Sequence, residues 1–357
     1  MKILGIETSC DETAASLIEI NAENGSIQPL SNVISSQIAL HSAWGGVVPN
    51  LAAREHLKNI FPVIEECLAK AQTTLADIDL MAVTHGPGLI PALLIGTTAT
   101  KTLSYLWQKP LLGIHHIEGH IYSNFINQNI ADIAFPILCL VVSGGHTQLV
   151  LMRGHLQYEI IGQTQDDAVG EAFDKVARML GLGYPGGPIV STLASQFNSA
   201  ANKYDITFPR PMLQNDNFNF SFSGLKTAVL YYVKKNTTAL EDKSFIQKVC
   251  HEFQQAALDV LIGKTMRAAK IHHPKTILLA GGVSANIQLQ QQLAKKIEAD
   301  LPETKFIFPA LDFQLDNAGM IATAAFFRYQ VETHPEKLLS TWKKMSTKAN
   351  LKLETTP

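Results

Sequence analysis

His115-His116-Ile117-Glu118-Gly119-His120 holds the side chains best suited to chemistry in this chain. Read as a helix, it sets His116 and His120 four residues apart on one face, where two imidazoles can share a divalent cation. A third ligand must then arrive from elsewhere, with further positions left open for water or substrate. The pair is not a zinc-protease signature. That motif, H-E-x-x-H, has its glutamate directly after the first histidine, whereas Glu118 is two residues from both His116 and His120 and lies round the helix from them. Gly119 is a weak helix former, and two ordinary surface or core histidines explain an isolated pair equally well. Asp316 is the candidate third ligand. It stands where Leu315-Asp316-Asn317-Ala318-Gly319 enters a helix of small residues, and it is either a helix N-cap or the carboxylate of a two-histidine, one-carboxylate set. Such a set with open positions suits iron(II), and zinc accepts it as well.

Several turns carry further polar chemistry. Ser9-Cys10-Asp11-Glu12 puts hydroxyls and carboxylates at a hairpin tip, where they could meet a phosphate, its metal or an attacking water; ordinary turn preference also accounts for them. Ser143-Gly144-Gly145-His146 is a second tip of this kind. Gly181-Leu182-Gly183-Tyr184-Pro185-Gly186-Gly187-Pro188 is a rigid loop whose main chain a flat or anionic ligand can approach closely. It follows a helix in which Asp167 reads as N-cap, and Asp174 lies on the polar face, opposite Val169, Phe173, Val176 and Leu180. Phe220-Ser221-Phe222-Ser223-Gly224-Leu225-Lys226 is one more polar turn, and the helices after it, to about Lys270, read as core.

These residues need a scaffold, and the hydropathy pattern supplies it twice. Ile3 to Thr8 and Thr13 to Ile20 read as a hairpin, followed by an amphipathic helix over Leu51 to Ala71 that contains Pro62. The strand Leu80 to Thr84 runs through His85-Gly86-Pro87-Gly88 into a helix from about Ala92 to Trp107, and Pro110 to Ile114 is a strand that delivers the chain to the histidines. The pattern then restarts. Ile137 to Val142 and Thr147 to Met152 form a second hairpin, and Lys275 to Ala280 leads through Gly281-Gly282-Val283-Ser284-Ala285-Asn286 into a helix from about Ile287 to Ile297. Two halves with one plan predict a duplicated α/β architecture, with ligands held between tight turns.

The chain has 357 residues, with 46% hydrophobic and 17% charged, which predicts two lobes and no disordered class. We expect an N-terminal lobe over 1–135 and a C-terminal lobe with a helical insertion over 136–332, whose final helix is able to pack back on the first lobe. The segment 333–357 reads as a polar, lysine-bearing, mobile tail. Cys10, Cys67, Cys139 and Cys250 are scattered without a C-x-x-C pair, which fits a reducing compartment. Glu7 interrupts any signal-peptide core and no apolar run is long enough to span a bilayer, so a soluble, cytoplasmic protein is expected. A net charge of -2 argues against gripping nucleic acid through overall charge, but permits a local patch or a partner that supplies one.

Taken together, Ile6-Glu7-Thr8-Ser9-Cys10-Asp11-Glu12-Thr13, His115 to His120, Val142 to Thr147, Asp174, Tyr184 to Pro188, Phe220 to Lys226, Gly281 to Asn286 and Asp316-Asn317 resemble the TsaD family of bacterial tRNA threonylcarbamoyladenosine (t6A) transferases. The resemblance covers nearly the whole chain to about residue 330. It implies the two-lobed fold of the actin, Hsp70 and sugar-kinase ATPases. It further implies that His116, His120 and Asp316 bind one divalent metal, iron or zinc, and that Val141, Val142, Ser143, Gly144, Gly145, Asp174, Gly187 and Asn286 hold an adenylate substrate. The implied reaction is acyl transfer from threonylcarbamoyl-AMP to the exocyclic amine of the adenosine 3′ of the anticodon, in tRNAs reading codons that begin with A. The implied partners are the paralogous subunit TsaB and the small P-loop ATPase TsaE.

An activated mixed anhydride asks for orientation and charge stabilisation more than for a protein nucleophile. Backbone N–H groups of the Ser143-Gly144-Gly145 turn suit phosphate, Asp174 suits ribose hydroxyls, and Asp11 or Glu12 is our candidate acceptor for the proton leaving the amine. Two other readings stay open at this point. One is the glycoprotease activity for which the family was formerly named, and the other is a non-catalytic scaffold of the same fold. A small-molecule kinase would rest on fold analogy alone.

Overall fold

Two five-stranded sheets repeat one strand order in this computed structural model, which describes residues 1–21, 25–198 and 204–354. The first is built from β1 (Lys2–Glu7), β2 (Glu12–Ile20) and β3 (Ile27–Ser36), then, after α1 (Ile38–Ser42) and α2 (Pro49–Lys70), from β4 (Leu80–Gly86), α3 (Ile90–Trp107) and β5 (Leu111–His115). Its order is β3-β2-β1-β4-β5, with β1 antiparallel to β2 and parallel to β4. Next come α4 (His116–Tyr122), β6 (Ile137–Val142), β7 (Thr147–Gly154), β8 (Gln157–Gln163), α5 (Val169–Met179), α6 (Gly186–Ser195), α7 (Ser223–Lys235), α8 (Lys243–His272), β9 (Thr276–Ala280), α9 (Ile287–Asp300), β10 (Lys305–Ile307) and α10 (Ala318–Gln330). The second sheet has the order β10-β9-β6-β7-β8, the first one read with every strand number raised by five. The duplication expected from the sequence is therefore present strand for strand.

The chain forms two compact units. Unit 1 comprises Met1–Phe135, Met152–Tyr158 and Ile307–Pro357, and unit 2 comprises Pro136–Leu151 and Glu159–Phe306. The C-terminal lobe expected to reach residue 332 thus ends at Phe306, because α10 packs on the first sheet. A side chain on Gly5 of β1 would stand 2.2 Å from the Ala318 carbonyl oxygen, so only glycine admits the helix there. Gly119 eases the approach of the same helix, since a Cβ would come within 2.7 Å of Ile321 Cδ1, a side-chain tip that would have to shift. The glycine that weakens α4 as an isolated helix is what lets α10 close on it, and this apposition carries Asp316 to the histidines.

In unit 1, Leu4, Ile6, Leu17, Ile60, Ile64, Val83 and Leu103 form one buried cluster between sheet and helices. In unit 2, Leu138, Leu140, Phe173, Phe220, Phe253 and Leu279 belong to another, in which α8 is largely enclosed. Its Lys264 is fully buried, donates to the Asn217 carbonyl at 2.8 Å, and is held down to about 8 by burial and by Arg267.

The tail departs from expectation. Leu338 is buried, Trp342 lies against Tyr105 with ring centres 4.8 Å apart, and Lys101 Nζ donates to the Met345 carbonyl at 3.1 Å. Lys348 N–H donates to the His85 carbonyl at 2.9 Å, and Gly88 N–H donates to that of Ala349 at 3.2 Å. The exposed lysines mask an apolar series, Leu338, Trp342, Met345 and Leu351, that faces unit 1. Thr355, Thr356 and Pro357 lie outside the described residues.

Candidate functional site

β5 and α10 bring the expected metal ligands together in unit 1. β5 ends at His115, whose Nδ1 accepts from Ile117 N–H and caps α4, while its Nε2 meets the Leu351 carbonyl at 3.1 Å. The next turn presents His116 and His120, their rings 4.6 Å apart and 77° to each other. Asn317, not Asp316, caps α10 by accepting from Met320 N–H at 2.9 Å. Asp316 is thereby available to the histidines, with Oδ1 at 3.1 Å from His120 Nε2 and 3.7 Å from His116 Nε2. The three ligand atoms lie within 4.8 Å of one another.

The donor set fits a divalent cation. His120 is wholly buried, and neither of its ring nitrogens makes an aligned hydrogen bond among the described residues, although Asp316 is close. A buried imidazole without such a bond costs free energy unless a ligand completes it. His116 points the same way: burial acts to lower its pKa, yet Asp316 and Glu7 outweigh burial and push it up to about 9. Surroundings that favour an extra proton so strongly favour a cation in its place.

Glu7 is the residue that sequence reasoning left without a role. It ends β1 fully buried, accepts from Ser9 N–H and from Thr84 Oγ1 at 2.6 Å, and stands 3.1 Å from His116 Nδ1. Burial acts to raise its pKa, and the charge and hydrogen bond of His116 override burial, so that it lies below the ordinary value. A carboxylate at the end of an otherwise apolar buried strand was the available signal.

The Ser9–Glu12 turn lies beside this group. Asp11 is buried, and burial followed by the charges of Asp11 and Asp316 raises Glu12 well above the ordinary carboxylate value. Glu118 belongs elsewhere. It is fully buried, with Oε2 accepting from Arg328 Nη2 at 2.7 Å and from Tyr158 OH at 2.9 Å, and Oε1 accepting from Arg328 Nε at 2.5 Å. A carboxylate clamped in this way cannot serve as the base of a zinc protease.

Unit 2 holds the expected substrate residues. Val141 and Val142 are core residues of β6, so only their main chain can meet a ligand. Ser143 N–H donates to the His146 carbonyl at 2.8 Å and closes the turn, and a Cβ on Gly144 or Gly145 would meet nothing within 4 Å. Asp174 Oδ1 accepts from Gly186 N–H at 2.7 Å at the start of α6, where Gly187 is likewise open. Asn286 caps α9 through Leu289 N–H, and its amide donates to Ser191 Oγ at 3.0 Å and Gln254 Oε1 at 2.9 Å. Ala168 rather than Asp167 stands at the start of α5. Asp167 instead binds Lys175 and Lys226, while Asp166 accepts from Ser221 and Ser223, and together they fix the Phe220–Lys226 turn.

Two sheets of identical order, each with its tight turn, define the class. The structure superposes on T. kodakarensis HypF with a TM-score of 0.60 over 95% of this chain and 49% of that one, at 12% identity, and the fold is that of the actin-like ATPases. Within that fold, residues 28–323 match the sequence profile described as TsaD, tRNA N6-adenosine threonylcarbamoyltransferase. The tRNA N6-adenosine threonylcarbamoyltransferases of Persephonella marina and Bacillus subtilis are each 48% identical to this chain, over 92% of it and 91% of each relative. The chain belongs to the TsaD family.

Proposed function

We propose that the chain transfers the threonylcarbamoyl group of threonylcarbamoyl-AMP to the N6 amine of the adenosine 3′ of the anticodon in tRNAs reading codons that start with A. Family membership carries the acyltransferase class and the tRNA adenosine. One observation carries the chemistry: His116, His120 and Asp316 gather around the buried, unaligned nitrogens of His120. A divalent ion there, iron(II) by ligand type with zinc acceptable, would polarise the acyl carbonyl. The N6–carbonyl bond forms, the anhydride C–O bond breaks, and AMP departs with the electron pair. The amine loses a proton, and Asp11 or Glu12, on the turn beside the ligand group, is the acceptor we assign. The open main chain of Gly144 and Gly145 receives phosphate oxygens, with Ser143, whose N–H closes the turn, and the buried Val141 and Val142 as its support. Asp174 and Gly187 meet the ribose, and Asn286 braces α6 against α8 and α9.

The protease reading loses its base to Arg328, and a scaffold would have no use for the ligand set. No helix among the described residues is long and apolar enough to cross a membrane. TsaB and TsaE are the proposed partner proteins and the cytoplasm the proposed compartment. The test follows labelled threonine from threonylcarbamoyl-AMP into unmodified tRNA, with partner subunits present and metal content measured, for wild type and His116→Ala. Label and metal lost together support the assignment. Wild type that is metal-loaded but transfers nothing rejects it.

A further inference from the structure

We propose that Glu7 is the positioning residue of the ligand group, holding His116 in the form protonated at Nδ1 so that its Nε2 lone pair faces Asp316 and His120. The proposal rests on the reading of His116, His120 and Asp316 as metal ligands.

The geometry divides the His116 ring between two carboxylates. Nε2 is turned to Asp316 at 3.7 Å, and Nδ1 is turned to Glu7 Oε2 at 3.1 Å and Ser9 Oγ at 3.1 Å. Only an unprotonated nitrogen can ligate a cation, so a neutral His116 that binds through Nε2 must carry its proton on Nδ1. The environment of Glu7 selects that tautomer. Its Oε1 accepts from Ser9 N–H and its Oε2 from Thr84 Oγ1, so Glu7 is present as an acceptor on both oxygens. A lone pair on Nδ1 would face the lone pairs of a buried carboxylate, whereas an N–H there completes the arrangement. Carboxylate, histidine and cation in series fix ring orientation and make the ligating nitrogen more basic. His120 has no comparable partner among the described residues, so the ordering of the pair falls on His116.

Glutamine tests this at nearly constant volume. With its NH2 in the Oε2 position, Glu7→Gln faces His116 Nδ1 with a donor and drives the proton to Nε2. With its NH2 in the Oε1 position, it opposes Ser9 N–H. The first orientation disfavours the ligating form of His116 directly, and the second loses the Ser9 contact that holds the acceptor in place.

The experiment measures the zinc Kd of the full chain by chelator competition for wild type, Glu7→Gln, Thr84→Val and His116→Ala, with circular dichroism to verify folding. We expect Glu7→Gln to bind zinc roughly 10–100-fold more weakly. Thr84→Val, which loosens Glu7, should shift the Kd in the same direction by less. Zinc-loaded wild type labelled with 15N-histidine supplies a readout independent of any variant, and His116 Nδ1 should resonate as a protonated nitrogen. A folded Glu7→Gln protein with the wild-type Kd, or a zinc-bound Nδ1 in the spectrum, overturns the proposal. Wild-type affinity in His116→Ala would instead overturn the ligand assignment itself, and the proposal with it. Should Glu7→Gln fail to fold, Thr84→Val and the wild-type spectrum decide the question.

Discussion

The turn after β1 and the turn after β6 occupy the same place in the same strand order, yet the surrounding chain covers them to opposite extents. In unit 1, Thr8, Ser9 and Asp11 are buried, Leu89 N–H donates to the Ser9 carbonyl at 2.8 Å, and His56 bridges Thr13 Oγ1 and the Cys10 carbonyl at 2.8 and 3.0 Å. In unit 2, Gly144 and Gly145 are exposed, with no atom in the way of a side chain. Side-chain chemistry needs groups whose rotamers are fixed by enclosure, and the first turn provides that. Recognition through backbone N–H groups needs an unobstructed approach, and the second provides that. One duplicated element has thus been specialised by how much of it the surrounding chain covers.

A glycine-to-alanine change packed against the first turn and one within the second should therefore fail in different ways. A Cβ on Gly88 would stand 2.7 Å from the Ser9 carbonyl oxygen and 2.8 Å from Ser9 Cβ, so Gly88→Ala must displace the first turn. We expect it to cost about 2–3 kcal/mol of stability, as overpacking of an enclosed site does, and to weaken metal binding because Ser9 touches His116. Thermal melts and zinc titration check both effects. Gly145→Ala should leave the melting curve within about 0.5 kcal/mol of wild type, since it fills open space. It should raise KM for the acyl-adenylate roughly tenfold, the equivalent of about 1.4 kcal/mol of lost binding. A Gly145→Ala protein that melts early, with KM unchanged, would erase the distinction between the turns.

Much of this was legible in the chain. Alternating apolar residues located both hairpins, and the two strand-glycine-helix units marked the repeat. His116 and His120 were found because helical spacing is local information. Asp316 is ambiguous because cap and ligand look alike in sequence; Asn317, the next residue, takes the cap and leaves Asp316 beside the histidines. Thr84 gives no local sign of a role and Glu7 only that of a carboxylate closing an apolar strand, since their meeting depends on the β1–β4 pairing. The tail misled for a related reason: its lysines dominate its composition, while Leu338, Trp342 and Met345 decide where it lies. Met345 packs against the unit 1 core, and its carbonyl accepts from Lys101. Met345→Ala should lower stability by about 1 kcal/mol and speed tryptic cleavage at Lys348, extending the enclosure of unit 1 to its last turn of chain. A solvated tail would show neither effect.

Enclosure also predicts that the first turn is the one sensitive to acid. Burial lowers the pKa of His56, outweighing the Cys10 carbonyl and the charges of Glu7 and Asp11, so the folded protein holds this ring neutral below the ordinary histidine value of 6.5. Its Nε2–H then donates to the Cys10 carbonyl while Nδ1 accepts from Thr13 Oγ1, a pattern that a second ring proton would break. The unfolded chain takes up that proton first as pH falls through 6.5, so the stabilising contribution of His56 is complete above that pH and is lost as pH drops toward the folded value. The expected effect is the smallest of the four: a decline of melting temperature below pH 6.5 that becomes shallower in His56→Gln. An NMR titration should give His56 a midpoint under 6.5. A midpoint at or above that value would mean that solvent reaches the turn, and the contrast between a covered first turn and an open second one would have to be given up.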